Sequence, residues 1–514
     1  MLKALRLWPL VEERAALTPD RELAVDESGR RMTFGEYRAA CERVAAGLEA
    51  RGVGAGTRVS WQLPAWNESL VLVGALSRLG AVQNPIIPIY RSREVGFIAS
   101  QLEPRLLIVP SVWRGFDYAS MAQEIAADRP GLEILVADRG LPEADSAGTP
   151  AASGPADDEQ EAPVRWVFYT SGTTGDPKGA LHTDKTVIAA TLGTIEALEI
   201  SEDDRGGLVF PLTHIGGILS LVGSLLTGSA TIVVEAFDET TIPLLAREGV
   251  TIGNAGTPFH LAYLHAQRQQ PNVPLFPHAR VYPGGGMPKP PQLHYDVKRE
   301  LGGVGVVSGY GLTECPVLAM NTIRERDDAK LAETEGRPIR GVEVRVVTLD
   351  GAPAGPGEEG ELHVRGPMLF RGYLDSSLDA EAFDDEGFLR TGDLGLQDRD
   401  GYLVITGRVK DIIIRKGENI SARELEDLLY THPRVADVAV IGVPDPELGE
   451  RCCAVVVSSD PAAPLGFDQM STFLREQGLM LQKLPEQLEL VDEIPRNPTG
   501  KIQKNVLRER FSAA

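Results

Sequence analysis

Tyr169-Thr-Ser-Gly-Thr-Thr-Gly-Asp-Pro-Lys-Gly179 is the stretch on which the reading of this chain turns. It follows a short apolar run at residues 164–168 with the composition of a buried strand. Four aliphatic hydroxyls, three glycines and one lysine fall within the quoted residues. Glycines let successive backbone N–H groups converge on an anion, hydroxyls add donors, and Lys178 supplies positive charge. Thr170, Ser171, Gly172, Thr173, Thr174, Gly175 and Lys178 therefore form a candidate phosphate cradle. Counted from Gly172, a Walker A loop needs a glycine before its lysine and a hydroxyl after it. Pro177 and Gly179 occupy those places, so this is a phosphate loop of another kind.

Outward from the loop, strand-like runs alternate with helical periods over the first three hundred residues or so. Runs at 59–63, 105–109, 132–136, 164–169, 230–234 and 304–307 read as buried strands, with helices at 34–50 and 69–79 among the segments between them. That alternation predicts α/β layers with largely parallel sheets. Residues 140–162, rich in Pro, Ala, Gly, Asp and Glu, read as an exposed loop. From about residue 342 the turn signals Asp350-Gly351, Gly355-Pro356-Gly357 and Asp400-Gly401 predict a small antiparallel β unit. A compact α+β stretch follows. Its first helix opens at the capping box Ser421-Ala-Arg-Glu424 and runs to about Tyr430, with strands near 435–441 and 452–458 and a helix near 467–477. The fold class expected is α/β. A large N-terminal domain (1–408) has layered α/β subdomains and a β subdomain at about 342–408, and a small α+β C-terminal domain covers 409–514. A chain of 514 residues is too long for one core, and roughly 150 residues per domain suggests about three units.

Composition narrows the partners. Hydrophobic residues make up 43% and charged residues 24%, an ordinary globular balance. The net charge of −22 repels phosphodiester backbones and anionic bilayers, so no nucleic acid and no membrane surface is expected as a partner. A small polyanion in a local pocket remains compatible with that charge. The four cysteines lack CxxC spacing, and Cys452 and Cys453 alternate across a strand-like run, which predicts neither a zinc site nor a disulfide framework and places the chain in a reducing, cytoplasmic compartment. The opening residues lack the apolar core of a secretory signal. Residues 206–234 carry no Asp, Glu, Lys or Arg and are long enough to span a bilayer. Pro211, His214 and several glycines break that stretch into a loop, a buried helix and a buried strand, so no stable membrane insertion is expected.

The phosphate loop resembles that of the adenylate-forming superfamily, which includes acyl-CoA synthetases, peptide-synthetase adenylation domains and firefly luciferase. The resemblance continues in family order along nearly the whole chain. Ser308-Gly-Tyr-Gly-Leu-Thr-Glu314 is similar to the adenine and magnesium motif. It implies Ser308, Gly309, Tyr310 and Gly311 along the purine, Thr313 on the α-phosphate and Glu314 on Mg²⁺. Gly284, Gly285 and Gly286 resemble the backbone segment on the other face of adenine. Asp393, in Arg390-Thr-Gly-Asp393, implies the ribose-binding carboxylate, and Arg408 its companion. Lys410 matches the hinge between the large domain and a mobile small one. Lys501, in Asn497-Pro-Thr-Gly-Lys501, resembles the lysine that reaches into the site during adenylation.

The implied chemistry has two steps. A carboxylate attacking the α-phosphate of ATP meets anion–anion repulsion, which Lys501 and Mg²⁺ on Glu314 would offset, with pyrophosphate leaving in line. A thiol then attacks the acyl-adenylate with AMP as leaving group. For this step the small domain would turn about its hinge and present Lys416, Gly417 and Glu418, where the glycine leaves room for a pantetheine arm. The acyl pocket implied by the resemblance comprises His214, Ile215, Gly216, Thr257, Pro258, Tyr282, Gly284, Gly309 and Pro316. His214 reads either as the gate of that pocket or as a satisfied buried histidine. Relatives that activate amino acids carry an aspartate near the His214 position and this chain has none, which points to aliphatic or alicyclic acids. Residues 84–90 with Trp113-Arg-Gly-Phe-Asp117 are similar to bacterial ligases for cyclic and medium-chain acids. Ile414 stands where many relatives place a lysine, so no role transfers there. Two thiol acceptors stay open. Coenzyme A is favoured by the lack of a long insertion, and an acyl carrier protein or a separate transferase is the alternative. The oligomeric state is open too, a homodimer included.

Overall fold

The computed structural model describes residues 2, 4–145, 162–170, 177–253, 256–287, 289–415, 418–496 and 501–512. Two sheets with parallel cores carry the large domain. The six-stranded one runs Gly179–His182, Trp166–Tyr169, Val82–Pro85, Arg58–Trp61, Leu106–Val109, Glu133–Val136, parallel except at its first edge strand. The expected strands are present within a residue or two; Arg58–Trp61, Leu106–Val109 and Trp166–Tyr169 are largely buried on both faces, while the edge strand Glu133–Val136 is only partly covered. Trp166–Tyr169 turns back on itself: Tyr169 pairs with Gly179, and Thr170 N donates to Lys178 O at 3.0 Å. The two described ends of the phosphate loop are thus held side by side by antiparallel pairing.

The second sheet, Arg205–Leu208, Ala230–Val233, Glu22–Val25, Arg31–Thr33, is parallel through its first three strands. Here the structure corrects one expectation. Residues 206–208, read as loop for their glycines, lie in a strand, and a Cβ on Gly207 would meet Leu245 at 2.9 Å. The apolar helix that follows, Ile215–Thr227, is buried against the core on most of its faces. Among the described residues no helix is long and apolar enough to cross a membrane.

A third sheet, Tyr282–Gly285, Val306–Leu312, Cys315–Met320, Arg337–Pro338, sets Gly284 beside Ser308 and Gly285 beside Gly309. A Cβ on Gly285 would lie 2.7 Å from the Gly309 carbonyl, so the two backbones close up only because residue 285 has no side chain. The antiparallel unit expected after residue 342 is the sheet Glu343–Val347, Gly360–Arg365, Leu389–Gln397, Leu403–Arg408.

That sheet ends at Arg408, a single 3₁₀ turn covers Val409–Asp411, and a new sheet starts with Ile412–Arg415. The C-terminal unit packs the helices Ala422–Tyr430, Phe467–Glu476 and Lys504–Ser512 around a five-stranded sheet with its own cores on both faces. Cys452 faces one core and Cys453 the other, as strand alternation requires. The capping box forms by half. Ser421 Oγ accepts from Glu424 N at 3.3 Å, while the Glu424 carboxylate turns to Lys483 at 2.6 Å.

Candidate active site

A cavity of about 620 Å³ lies between the large domain and the C-terminal unit. From the large domain come Thr257, Pro258, Gly286, Gly309, Tyr310, Gly311 and Asp393, from the junction Arg408 and Lys410, and from the C-terminal unit Lys501. Tyr310 OH donates to Asp393 Oδ2 at 2.7 Å, and the Arg408 guanidinium pairs with Asp393 Oδ1 at 2.8 Å. Both oxygens of a nearly buried carboxylate are thereby fixed. Burial, with Arg408 close by, lowers the pKa of Lys501, while the carboxylates of Asp393 and Glu314 act the other way. The lysine therefore sits among the groups expected to hold the nucleotide. Lys410 is likewise lowered by burial and by Arg408.

The phosphate end is built around Glu314 and the segment Phe370–Leu374. Glu314 occupies the turn between Val306–Leu312 and Cys315–Met320, and its carboxylate is only 9% exposed. Arg371 N donates to Leu181 O at 2.8 Å, Leu181 N to Gly372 O at 3.0 Å, and Leu374 N to Gly179 O at 2.7 Å. The segment thus runs as an extra strand beside the exit of the phosphate loop, and Phe370 N donates to Glu314 O at 2.8 Å. Lys178 Nζ lies 5.2 Å from the centroid of the Tyr373 ring. Thr313 is placed from beneath. His182 Nε2 lies 2.8 Å from the Thr313 carbonyl, and burial depresses this histidine to about 4. A neutral ring facing a carbonyl carries its proton on Nε2.

Beside Thr313 lies a second cavity of about 20 Å³, bordered also by His214, Ile215, Thr213 and Tyr90. His214 caps the helix Ile215–Thr227, its Nδ1 accepting from Gly216 N at 3.1 Å. Burial, with Lys501 nearby, depresses it to about 4, so the ring is neutral. His214 is thus a satisfied helix cap that also borders the space next to Thr313.

Several expected residues are placed elsewhere. Tyr282 is turned into the core, its hydroxyl donating to Leu301 O at 3.3 Å, so its side chain is not a pocket wall. Pro316 is buried in Cys315–Met320 and borders neither cavity. Gly284 borders neither cavity either, and a Cβ there would face Val306 at 3.1 Å and His260 at 3.7 Å. Among the described residues the buried Ser308 hydroxyl has no hydrogen-bond partner. Ser171, Gly172, Thr173, Thr174, Gly175, Lys416 and Gly417 lie outside the described residues, as does the side chain of Glu418.

With this geometry in place, the family comparison is decisive. Residues 11–374 match the model of the AMP-binding enzyme, and residues 424–501 match that of the AMP-binding enzyme C-terminal domain. The chain belongs to the AMP-binding enzyme family. It is 31% identical to a medium-chain fatty-acid–CoA ligase of Escherichia coli, over 97% of this chain and 89% of the relative. It is 34% identical to a salicyl-AMP ligase/salicyl-S-ArCP synthetase of Mycobacterium tuberculosis, over 98% and 90%. The crystal structure of ATP-bound MatB from Rhodopseudomonas palustris superposes with a TM-score of 0.87 at 29% identity, covering 98% of this chain and 99% of that one.

The motifs of the family did not reveal everything at the site. Tyr373, whose hydroxyl donates to Glu314 Oε1 at 2.6 Å, stands far along the chain and carries no local signal. His182 is a second example. The polar seam closing the C-terminal unit over the site is a third: Ser421 Oγ donates to Thr406 O at 2.7 Å, and Arg423 lies 3.9 Å from Glu335 of the large domain and 3.5 Å from Asp427. The turn signals around residue 421 announce the helix, but nothing in them announces its partner.

Proposed function

We propose that this chain joins a carboxylic acid to coenzyme A in two steps: ATP and the acid give acyl-AMP and pyrophosphate, then the coenzyme A thiol displaces AMP. One observation carries the reading. Lys501 of the C-terminal unit shares a single cavity with Tyr310, Asp393 and Arg408. In this proposal Tyr310 covers the purine and Asp393, held by Tyr310 and Arg408, receives the ribose hydroxyls. The phosphates lie along the loop of Thr170 to Lys178, with Thr313 toward the α-phosphate. Lys501 brings the incoming carboxylate and the α-phosphate together, offsetting their repulsion without any reorganisation at the moment of attack.

Glu314 fits a magnesium ion. Mg²⁺ is commonly held by one or two carboxylates together with substrate phosphates, and Glu314 offers such a carboxylate beside the phosphate loop. When bound, the ion would neutralise phosphate charge. Its carboxylate is kept oriented by the protein whether or not the ion is present.

For thioester formation we propose rotation about Lys410, which withdraws Lys501 and brings up the face containing Lys416, Gly417 and Glu418. The identity to a fatty-acid–CoA ligase supports a fatty or related aliphatic acid and coenzyme A as acceptor. The identity to a salicyl-AMP ligase/salicyl-S-ArCP synthetase supports the runner-up, transfer to a carrier protein. A panel of carboxylic acids assayed by pyrophosphate release, followed by thioester detection with coenzyme A and with a carrier protein, tests both. Adenylate formation without a coenzyme A thioester would overturn the first acceptor in favour of the second.

A further inference from the structure

We propose that Tyr373 is a positioning residue that aims the Glu314 carboxylate at the metal–phosphate site and joins it to Lys178. The inference rests on the proposed role of Glu314. Four observations fix Tyr373 in place. Its residue bridges antiparallel to Ala180, next to the phosphate-loop exit. Its N–H donates to Asp379 Oδ1 at 2.8 Å. Gly372 before it adopts φ +113°, and a Cβ there would strike Asp379 at 2.7 Å, so the chain can enter this turn only through glycine. Its ring stands edge-on to Phe370, 4.8 Å between centroids at 71°.

From that fixed base the hydroxyl has one short bond, 2.6 Å to Glu314 Oε1. A phenol, with an ordinary pKa of about 10, faces the carboxylate as a hydrogen-bond donor. A hydrogen bond to a nearly buried carboxylate selects one rotamer and leaves the other oxygen for a cation. The face of the same ring receives Lys178 Nζ, a cation–π contact. One side chain therefore sets the relative position of an anion and a cation that reach the phosphates from two distant stretches of sequence.

The test compares Tyr373→Phe, Glu314→Gln and the double variant of the full chain, reading ATP binding by calorimetry across a magnesium titration and again in EDTA. The Phe variant keeps the ring, its packing and the Lys178 contact, and removes only the hydroxyl. It should raise the magnesium concentration at half-saturation about tenfold, the worth of one hydrogen bond to a charged group, and leave binding in EDTA unchanged. In the Glu314→Gln background the same substitution should add nothing further. Equal loss with and without magnesium, an unshifted magnesium dependence, or full additivity with Glu314→Gln would overturn the role given to Tyr373. A Glu314→Gln variant with wild-type magnesium dependence would instead overturn the reading of Glu314 itself.

Discussion

Replacing Lys501 with alanine separates the two half-reactions. Lys501 lines the cavity proposed for the nucleotide, within electrostatic reach of Arg408, Asp393 and Glu314. Two unit charges about 4 Å apart interact by about 4 kcal/mol at an effective dielectric of about 20. Part of that attraction is already present in the ground state, where ATP carries its charge before attack. What remains for the transition state is about 3 kcal/mol, in line with removal of one preorganised donor, or a 10²–10³-fold slower adenylation. The assay is ATP–pyrophosphate exchange for the first step, and thioester formation from supplied acyl-adenylate and coenzyme A for the second. The first should fall by that factor and the second should largely survive, since the proposed rotation withdraws Lys501 before the thiol attacks. Equal losses in both would refute domain alternation as the source of the effect.

Asp393→Ala removes the acceptor shared by Tyr310 and Arg408 and should raise the KM for ATP about tenfold to a hundredfold, read by ATP titration in the exchange assay. An unchanged KM would remove Asp393 from the ribose site. Gly284→Ala places a methyl 3.1 Å from Val306 and 3.7 Å from His260, away from both cavities, and should cost stability rather than reshape the acyl pocket. The Tm should fall while the order of preference in an acid panel stays unchanged; a shift toward smaller acids would make Gly284 a pocket wall after all. His182 and His260 are almost fully buried and both depressed to about 4 from a usual 6.5. Their unfolded forms take up protons that the folded forms refuse, so stability should drop as pH falls from about 6.5 toward 4, by roughly 2 kcal/mol for each at pH 5. Thermal unfolding against pH checks this, and a flat Tm between pH 6.5 and 5 would contradict the buried neutral state.

What could be read in advance follows from the range of the interactions. The phosphate loop was legible because its chemistry is packed into consecutive residues, and the α/β layering because a doubly buried strand must be apolar throughout. Tyr310, Asp393, Arg408 and Lys501 became legible only through a resemblance that gives their order along the chain. The glycines of 206–208 misled, since a loop signal and a close-packed strand use the same residue. Tyr282 misled differently: it and Gly284, two residues apart on one strand, face the core together, so neither walls a cavity. Tyr373 and Glu335 were not legible at all, because their partners lie elsewhere in the sequence and the register that joins them exists only after folding.

Among the described residues, the seam between the C-terminal unit and the large domain includes polar contacts, with Ser421 on Thr406 and Arg423 facing Glu335 at 3.9 Å. Contacts of this kind contribute about 1 kcal/mol or less apiece. In the rotation proposed above, contacts of this strength would release the C-terminal unit at little cost. Two lid positions of nearly equal free energy can be repopulated by whichever ligand is bound, so ATP, acyl-adenylate and thiol can each choose the posture they need. An oily seam of the same extent would have frozen the lid in the first posture, and the adenylate would have waited for a thiol that had no way in.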